Sequence, residues 1–120
     1  MEQKQTENNL IPIDSSDALE RIGGDPSFLE ELLNLYFEEF TTKSDELCKA
    51  IETKDFKAIQ ELGHSLKGSS ANLSLLALQK TSYEMEMAGR EKDIEKAKST
   101  FVLLKDDCER LKEFLAKKMN

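Results

Sequence analysis

The sequence predicts an all-α protein, an antiparallel up-down four-helix bundle with a short extra N-terminal helix. Three observations predict it. Proline occurs only at Pro12 and Pro26, and glycine only at positions 23, 24, 63, 68 and 89, so almost everything after Asp25 is free to be helical. Clusters of β-branched residues suited to strands are missing. Apolar residues instead recur in steps of three and four, the spacing of an amphipathic helix. The 120 residues suffice for one domain with a single core and are too few for two.

Taken in order, residues 1–13 read as a flexible lead-in and 14–120 as the bundle domain. The run Asp14-Ser15-Ser16-Asp17 offers N-caps for a short helix, Ala18 to Ile22, which Gly23-Gly24 then ends. Asp25-Pro26 forms the N-cap and first position of a long helix, with Glu30 and Glu31 in its early turns. Leu29, Leu32, Leu33, Tyr36, Phe40, Leu47 and Ile51 fall on one stripe of it. The helix is expected to end near Lys54, where Asp55 caps the next. A third helix runs from about Phe56 to Leu73 and a fourth from about Leu75 to Arg90, with Ser74 as its N-cap. Asp93 starts the last, whose apolar positions are Ile94, Ala97, Phe101, Leu104, Cys108, Leu111 and Leu115. This heptad-like seam would suit a coiled coil, but the short connections before it favour packing within a bundle.

Charge and motifs exclude several functions. A net charge of −7 argues against nucleic acid and against an anionic membrane surface. No apolar run approaches the ~20 residues of a membrane span, and Met1 to Asn9 lacks the apolar core of a signal peptide. With Cys48 and Cys108 far apart, a cytoplasmic protein with reduced thiols is expected. One histidine and two cysteines at these spacings make no zinc site. The nucleotide-binding loops G-x-x-x-x-G-K-[ST] and G-x-G-x-x-G are missing, as is the G-x-S-x-G elbow.

The third helix holds the most informative residue. At 100° per residue, Phe56, Ile59, Leu62, Gly63, Leu66, Ser70 and Leu73 form its buried side, and His64 points roughly 155° away from them. The face of His64 carries Gln60, Lys67, Gly68, Ala71 and Leu75. An exposed imidazole near neutral pH is a competent nucleophile. An ammonium one turn on can pair with a phosphoryl oxygen on the ring. Glycine in an exposed helix interior costs about 1 kcal/mol relative to alanine, so Gly68 suggests that a bulky group must come close.

The run His64-Ser65-Leu66-Lys67-Gly68-Ser69-Ser70-Ala71-Asn72-Leu73 closely resembles the H-x-L-K-G-S-S-x-x-L signature of histidine phosphotransfer (Hpt) domains. Ala18 to Asp25 resembles the family's opening segment, and Met85-Glu86 with Gly89-Arg90 resembles the helix after the histidine. The similarity covers residues 14 to 118 or so.

The resemblance implies that His64 accepts a phosphoryl group on Nε2 from a receiver aspartyl phosphate and passes it to another receiver. Lys67 would steady the phosphoryl charge, and Gln60, Gly68, Ala71 and Leu75 would form the docking surface. Glu86 matches a position from which a side chain approaches the histidine. There it could accept a hydrogen bond from Nδ1–H, fix the tautomer and make Nε2 more nucleophilic, or remain a solvated carboxylate at the bundle edge. The implied partners are response-regulator receiver domains and a hybrid sensor histidine kinase. The chain would act as a monomeric carrier without a cofactor or enzymatic site of its own, the receiver supplying Mg²⁺. Many relatives have glycine where this chain has Ser74.

Two alternatives are the phosphoacceptor domain of a chemotaxis-type kinase and a helical adaptor with an incidental histidine. The adaptor rests on Phe28, Leu35 and Phe37, which lie off the main stripe of the long helix. Packing of the first helix over them is the plainer account. A sensor-kinase dimerisation domain fits less well, because no H-E-x-[RK]-[TN]-P pattern is present.

Overall fold

The computed structural model of the chain describes residues 10–119, with side chains to residue 117. Five helices occur among them: α1 (Ser15–Arg21), α2 (Pro26–Glu52), α3 (Phe56–Asn72), α4 (Leu76–Arg90) and α5 (Ile94–Met119). Aspartates start most of them. Asp14, Asp25, Asp55 and Asp93 each accept from a backbone N–H two or three residues on, at 2.9–3.1 Å. Because Asp14 is the cap, α1 begins at Ser15, earlier than expected. Ile13 also departs from the expected lead-in, being a core residue only 3% exposed. Residues 1–9 of that lead-in lie outside the described residues.

The first four helices end alike. The amides of Gly24, Asp55, Leu75 and Asp93 bond back to the carbonyls of Leu19, Ala50, Ser70 and Ala88, five residues earlier. The residue before each is left-handed, with φ of 93° at Gly23, 55° at Lys54, 56° at Ser74 and 56° at Lys92. This is the Schellman ending, which satisfies the last carbonyls while reversing the chain. It leaves only three residues between successive helices from α2 to α5. Connections this short fold consecutive helices back on one another as an antiparallel bundle.

Two expectations fail at the α3–α4 turn. Ser74 is the left-handed residue of the ending and not the N-cap of α4; that place falls to Leu75, which makes no side-chain cap. Leu75 is fully buried and so lies off the face of His64. Helical arithmetic had carried it there, but α3 stops at Asn72, and a residue beyond a Schellman turn packs inward. Ser74 keeps the glycine-like backbone and uses its hydroxyl to donate to Asp17 of α1. Its carbonyl accepts from the Asp14 amide at 3.0 Å. The short first helix is thereby tied to this turn.

The stripe foreseen on α2 is largely buried, including Leu29, Leu33, Tyr36, Phe40, Leu47 and Ile51. From α5, Ala97, Leu104, Cys108 and Leu111 face it across the core. Phe28 and Leu35 stay 43% and 58% exposed, so α1 does not cover them. Phe37 is partly buried and faces the Lys112 ammonium 5.5 Å from its ring centre. Buried polar pairs fix the register between helices: Tyr36 Oη and Ser70 Oγ lie 2.8 Å apart, and Thr81 donates to Asp107, which also pairs with Arg110. Cys48 and Cys108 are free thiols, and burial pushes that of Cys108 up to about 11.

Helices α3 and α4 pack most extensively, and glycine makes this possible. A Cβ on Gly63 would stand 2.5 Å from the Glu86 amide nitrogen, and one on Gly89 would collide with the Gln60 backbone. Neither obstacle is a flexible side chain, so neither can swing aside. Gly63→Ala and Gly89→Ala should each destabilise the fold by about 1–3 kcal/mol despite alanine's better helix propensity. Gly68→Ala, with nothing within 4 Å of its Cβ, should instead stabilise it by up to about 1 kcal/mol. Urea midpoints of the three variants check the contrast.

At Ser74, alanine keeps the left-handed penalty and loses the hydroxyl, whereas glycine loses only the hydroxyl. Ser74→Ala should therefore be less stable than Ser74→Gly by about 1 kcal/mol. In an Asp17→Ala background, where the hydroxyl has lost its acceptor, Ser74→Gly should become stabilising. Denaturant midpoints of the single and double variants read both outcomes.

Candidate functional site

His64 sits in the middle of α3 on the side away from the core, and its side chain is 69% exposed. The residue before it, Gly63, admits the α4 backbone at Glu86, which brings the Glu86 side chain alongside the imidazole. That side chain is only 6% exposed. Its Oε2 lies 3.2 Å from His64 Nδ1, and its Oε1 lies 3.0 Å from Lys67 Nζ. Arg90, one turn along α4, places Nη2 3.4 Å from Oε2. Two permanent cations and the imidazole converge on one buried carboxylate.

Burial would raise the Glu86 carboxyl. Hydrogen bonds with Lys67 and then His64, together with their charges, outweigh it and hold the group below the ordinary glutamate range. An ionised carboxylate can only accept, so Nδ1 carries the proton and donates. The other ring nitrogen, Nε2, then keeps its lone pair on an exposed ring. The arrangement can thus present a neutral imidazole in a fixed tautomer as a nucleophile.

The other expected residues separate. Gly68 is exposed, while Gln60 and Ala71 are half-buried on the same helix. Leu75 is buried and takes no part in the surface. Lys67 lies one turn beyond His64, half-buried, with its ammonium on Glu86 and 5.3 Å from the centre of the Tyr83 ring. The sequence reading had not assigned Arg90 or Tyr83 to the site. An arginine at i+4 from a glutamate was the available signal for the first. Tyr83 carried none, because its contact with Lys67 depends on the packing of α3 on α4. Among the described residues, no group of histidine, cysteine and carboxylate side chains could hold a metal ion, and no helix is long and apolar enough to cross a membrane.

A family model, described as the Hpt domain, matches residues 31–114 and so includes His64, Lys67, Glu86 and Arg90. The chain belongs to the Hpt domain family. This Hpt domain is similar to the multistep phosphorelay regulator 1 of Schizosaccharomyces pombe, with 35% identity over 82 residues, 68% of this chain and 25% of the relative. It is also similar to the phosphorelay intermediate protein rdeA of Dictyostelium discoideum, with 30% identity over 93 residues, 78% of this chain and 37% of the relative. The aligned segments thus make up between a quarter and somewhat over a third of these relatives' length. No solved structure matches it. Hpt domains work in phosphorelays with receiver domains and kinases, as phosphoryl carriers and not as enzymes in the usual sense.

Because the Glu86 carboxyl is lower in the folded Hpt domain than in the unfolded chain, its ionised form stabilises the fold. That contribution is complete above the ordinary glutamate value of 4.5 and is lost as pH falls through the lower folded value. Glu86→Gln should therefore lose less stability than the wild type as pH falls below 4.5. Urea midpoints across that range test it, and parallel curves would show that Glu86 does not titrate with folding.

Proposed function

We propose that this Hpt domain takes a phosphoryl group onto Nε2 of His64 from a receiver-domain aspartyl phosphate and hands it to the aspartate of another receiver. The observation that carries this reading is the exposed imidazole whose Nδ1 is held by a buried carboxylate. Nε2 attacks phosphorus as the bond to the aspartyl oxygen breaks, and the return transfer reverses the same step. Lys67 lies one turn away and pairs with a phosphoryl oxygen once the ring is charged. Glu86 fixes the tautomer and makes Nε2 more nucleophilic.

The receiver brings the aspartate and Mg²⁺, so the chain acts as a carrier without a nucleotide or metal site of its own. The donor side would be a hybrid sensor kinase, and the chain would work as a cytoplasmic monomer. The receiver would approach over Gln60, Gly68 and Ala71, where Gly68 has open space around its Cα.

Incubation with a phosphorylated receiver tests the reading. Wild type should gain acid-labile, base-stable phosphate, and His64→Gln none, with a melting temperature nearly unchanged because the side chain is exposed. Gly68→Gln should fold and yet transfer at least tenfold more slowly, since the added side chain meets only the incoming partner. Phosphate on His64→Gln would refute the assignment.

A further inference from the structure

A carboxylate at position 86 offers the imidazole more than a hydrogen-bond acceptor. A glutamine carbonyl would hold Nδ1–H in the same orientation but would bring no charge. Glu86 brings a buried negative charge 3.2 Å from Nδ1. Its effect is greatest when the ring itself is cationic, which happens when Nε2 carries a phosphoryl group and Nδ1 keeps its proton.

We propose that Glu86 sets how readily phosphorylated His64 gives up its phosphoryl group, by keeping the Nδ1 proton on the phosphorylated ring. The proposal rests on the reading that His64 carries the phosphoryl group on Nε2. In the donating step the P–Nε2 bond breaks and its electron pair returns to Nε2. The phosphoryl passes to a carboxylate oxygen of the receiver aspartate, or to water in spontaneous loss. With Nδ1 protonated, the departing ring is a neutral imidazole. With Nδ1 bare, it would have to leave as imidazolate, a far poorer leaving group. An opposite charge at this distance favours the protonated, cationic form of the phosphorylated ring over the bare one.

The charged and titratable groups in contact with the pair come from both packed helices. Lys67 of α3 and Arg90 of α4 share the Glu86 carboxylate, and Tyr83 of α4 lies under the Lys67 ammonium. The two cations draw on the charge that Glu86 offers the ring. They therefore oppose its effect, and removing one should move the ring the other way. Glu86 acts as a positioning and charge-setting residue, since its carboxylate meets the imidazole at Nδ1 and not the phosphoryl group on Nε2.

The full chain can be phosphorylated with phosphoramidate, a small-molecule donor that needs no receiver. The ³¹P resonance then follows protonation of the phosphorylated ring, and its decay gives the rate of phosphoryl loss. From about pH 5 to 9, the wild-type midpoint should lie about one unit or more above that of Glu86→Gln. Between the two midpoints, wild type should lose its phosphoryl group several-fold faster. Lys67→Met should shift the midpoint upward, a contrast that general loosening of the fold would not produce. Equal midpoints in wild type and Glu86→Gln overturn the proposal. Should Glu86→Gln fail to fold, an unmoved midpoint in Lys67→Met overturns it instead. Label that persists in His64→Gln sinks the phosphotransfer reading itself, whereas normal labelling of His64 with equal midpoints sinks only the role of Glu86.

Discussion

Two helix backbones can touch only where one of the facing residues lacks a side chain, and α3 and α4 meet that condition twice, with Gly63 against Glu86 and Gly89 against Gln60. The two glycines belong to opposite helices, so the contact fixes both separation and register. Register matters most for the site. Gly63 precedes His64 and meets the backbone of Glu86, so the contact that closes the bundle also delivers the carboxylate to Nδ1. A pair of helices held apart by alanine methyls would carry the same residues and lose that hydrogen bond. Packing and chemistry here have one cause.

The turns show a second economy. One backbone pattern ends α1, α2, α3 and α4, although only α1 supplies a glycine at the left-handed position. Lys54, Ser74 and Lys92 adopt φ near 56° in spite of their Cβ atoms. Such a residue costs about 1–2 kcal/mol relative to glycine. The return is a reversal of direction within three residues, with the last carbonyls satisfied and the next N-cap already in place. At Ser74 the hydroxyl adds a link to α1 that a glycine could not make.

Much of the fold was legible because its signals are local. Aspartates at the starts of α2, α3 and α5 (25, 55 and 93), proline at 26 and the period of the apolar stripes depend only on neighbours in sequence. What could not be read depends on chain reversal or on which helices cross. Ser74 looks like an N-cap by side chain, and only the geometry of the turn makes it the left-handed residue before Leu75. Leu75 was misplaced for the same reason, since angular counting holds only while the helix continues. At the site, exposure of His64 followed from the period, whereas the approach of Glu86 needed the glycine contact. Whether Phe28 and Leu35 are covered was a question of where the seven-residue α1 packs, on which their spacing is silent.

His64 projects from the convex side of one helix, with Nε2 on a ring that is two-thirds exposed. A convex site of this kind has no second entrance. Any folded protein large enough to enclose Nε2 covers the surroundings of Gly68 at the same time, so two such bodies cannot be seated together. On the proposed reading of His64 as a carrier between receivers, exchange at this atom proceeds by turns, with the first visitor gone before the next arrives, as in a double-displacement reaction without a ternary complex. Throughput would be governed by departure rates as much as by chemistry, and an idle partner lingering on this face would act as a competitive brake.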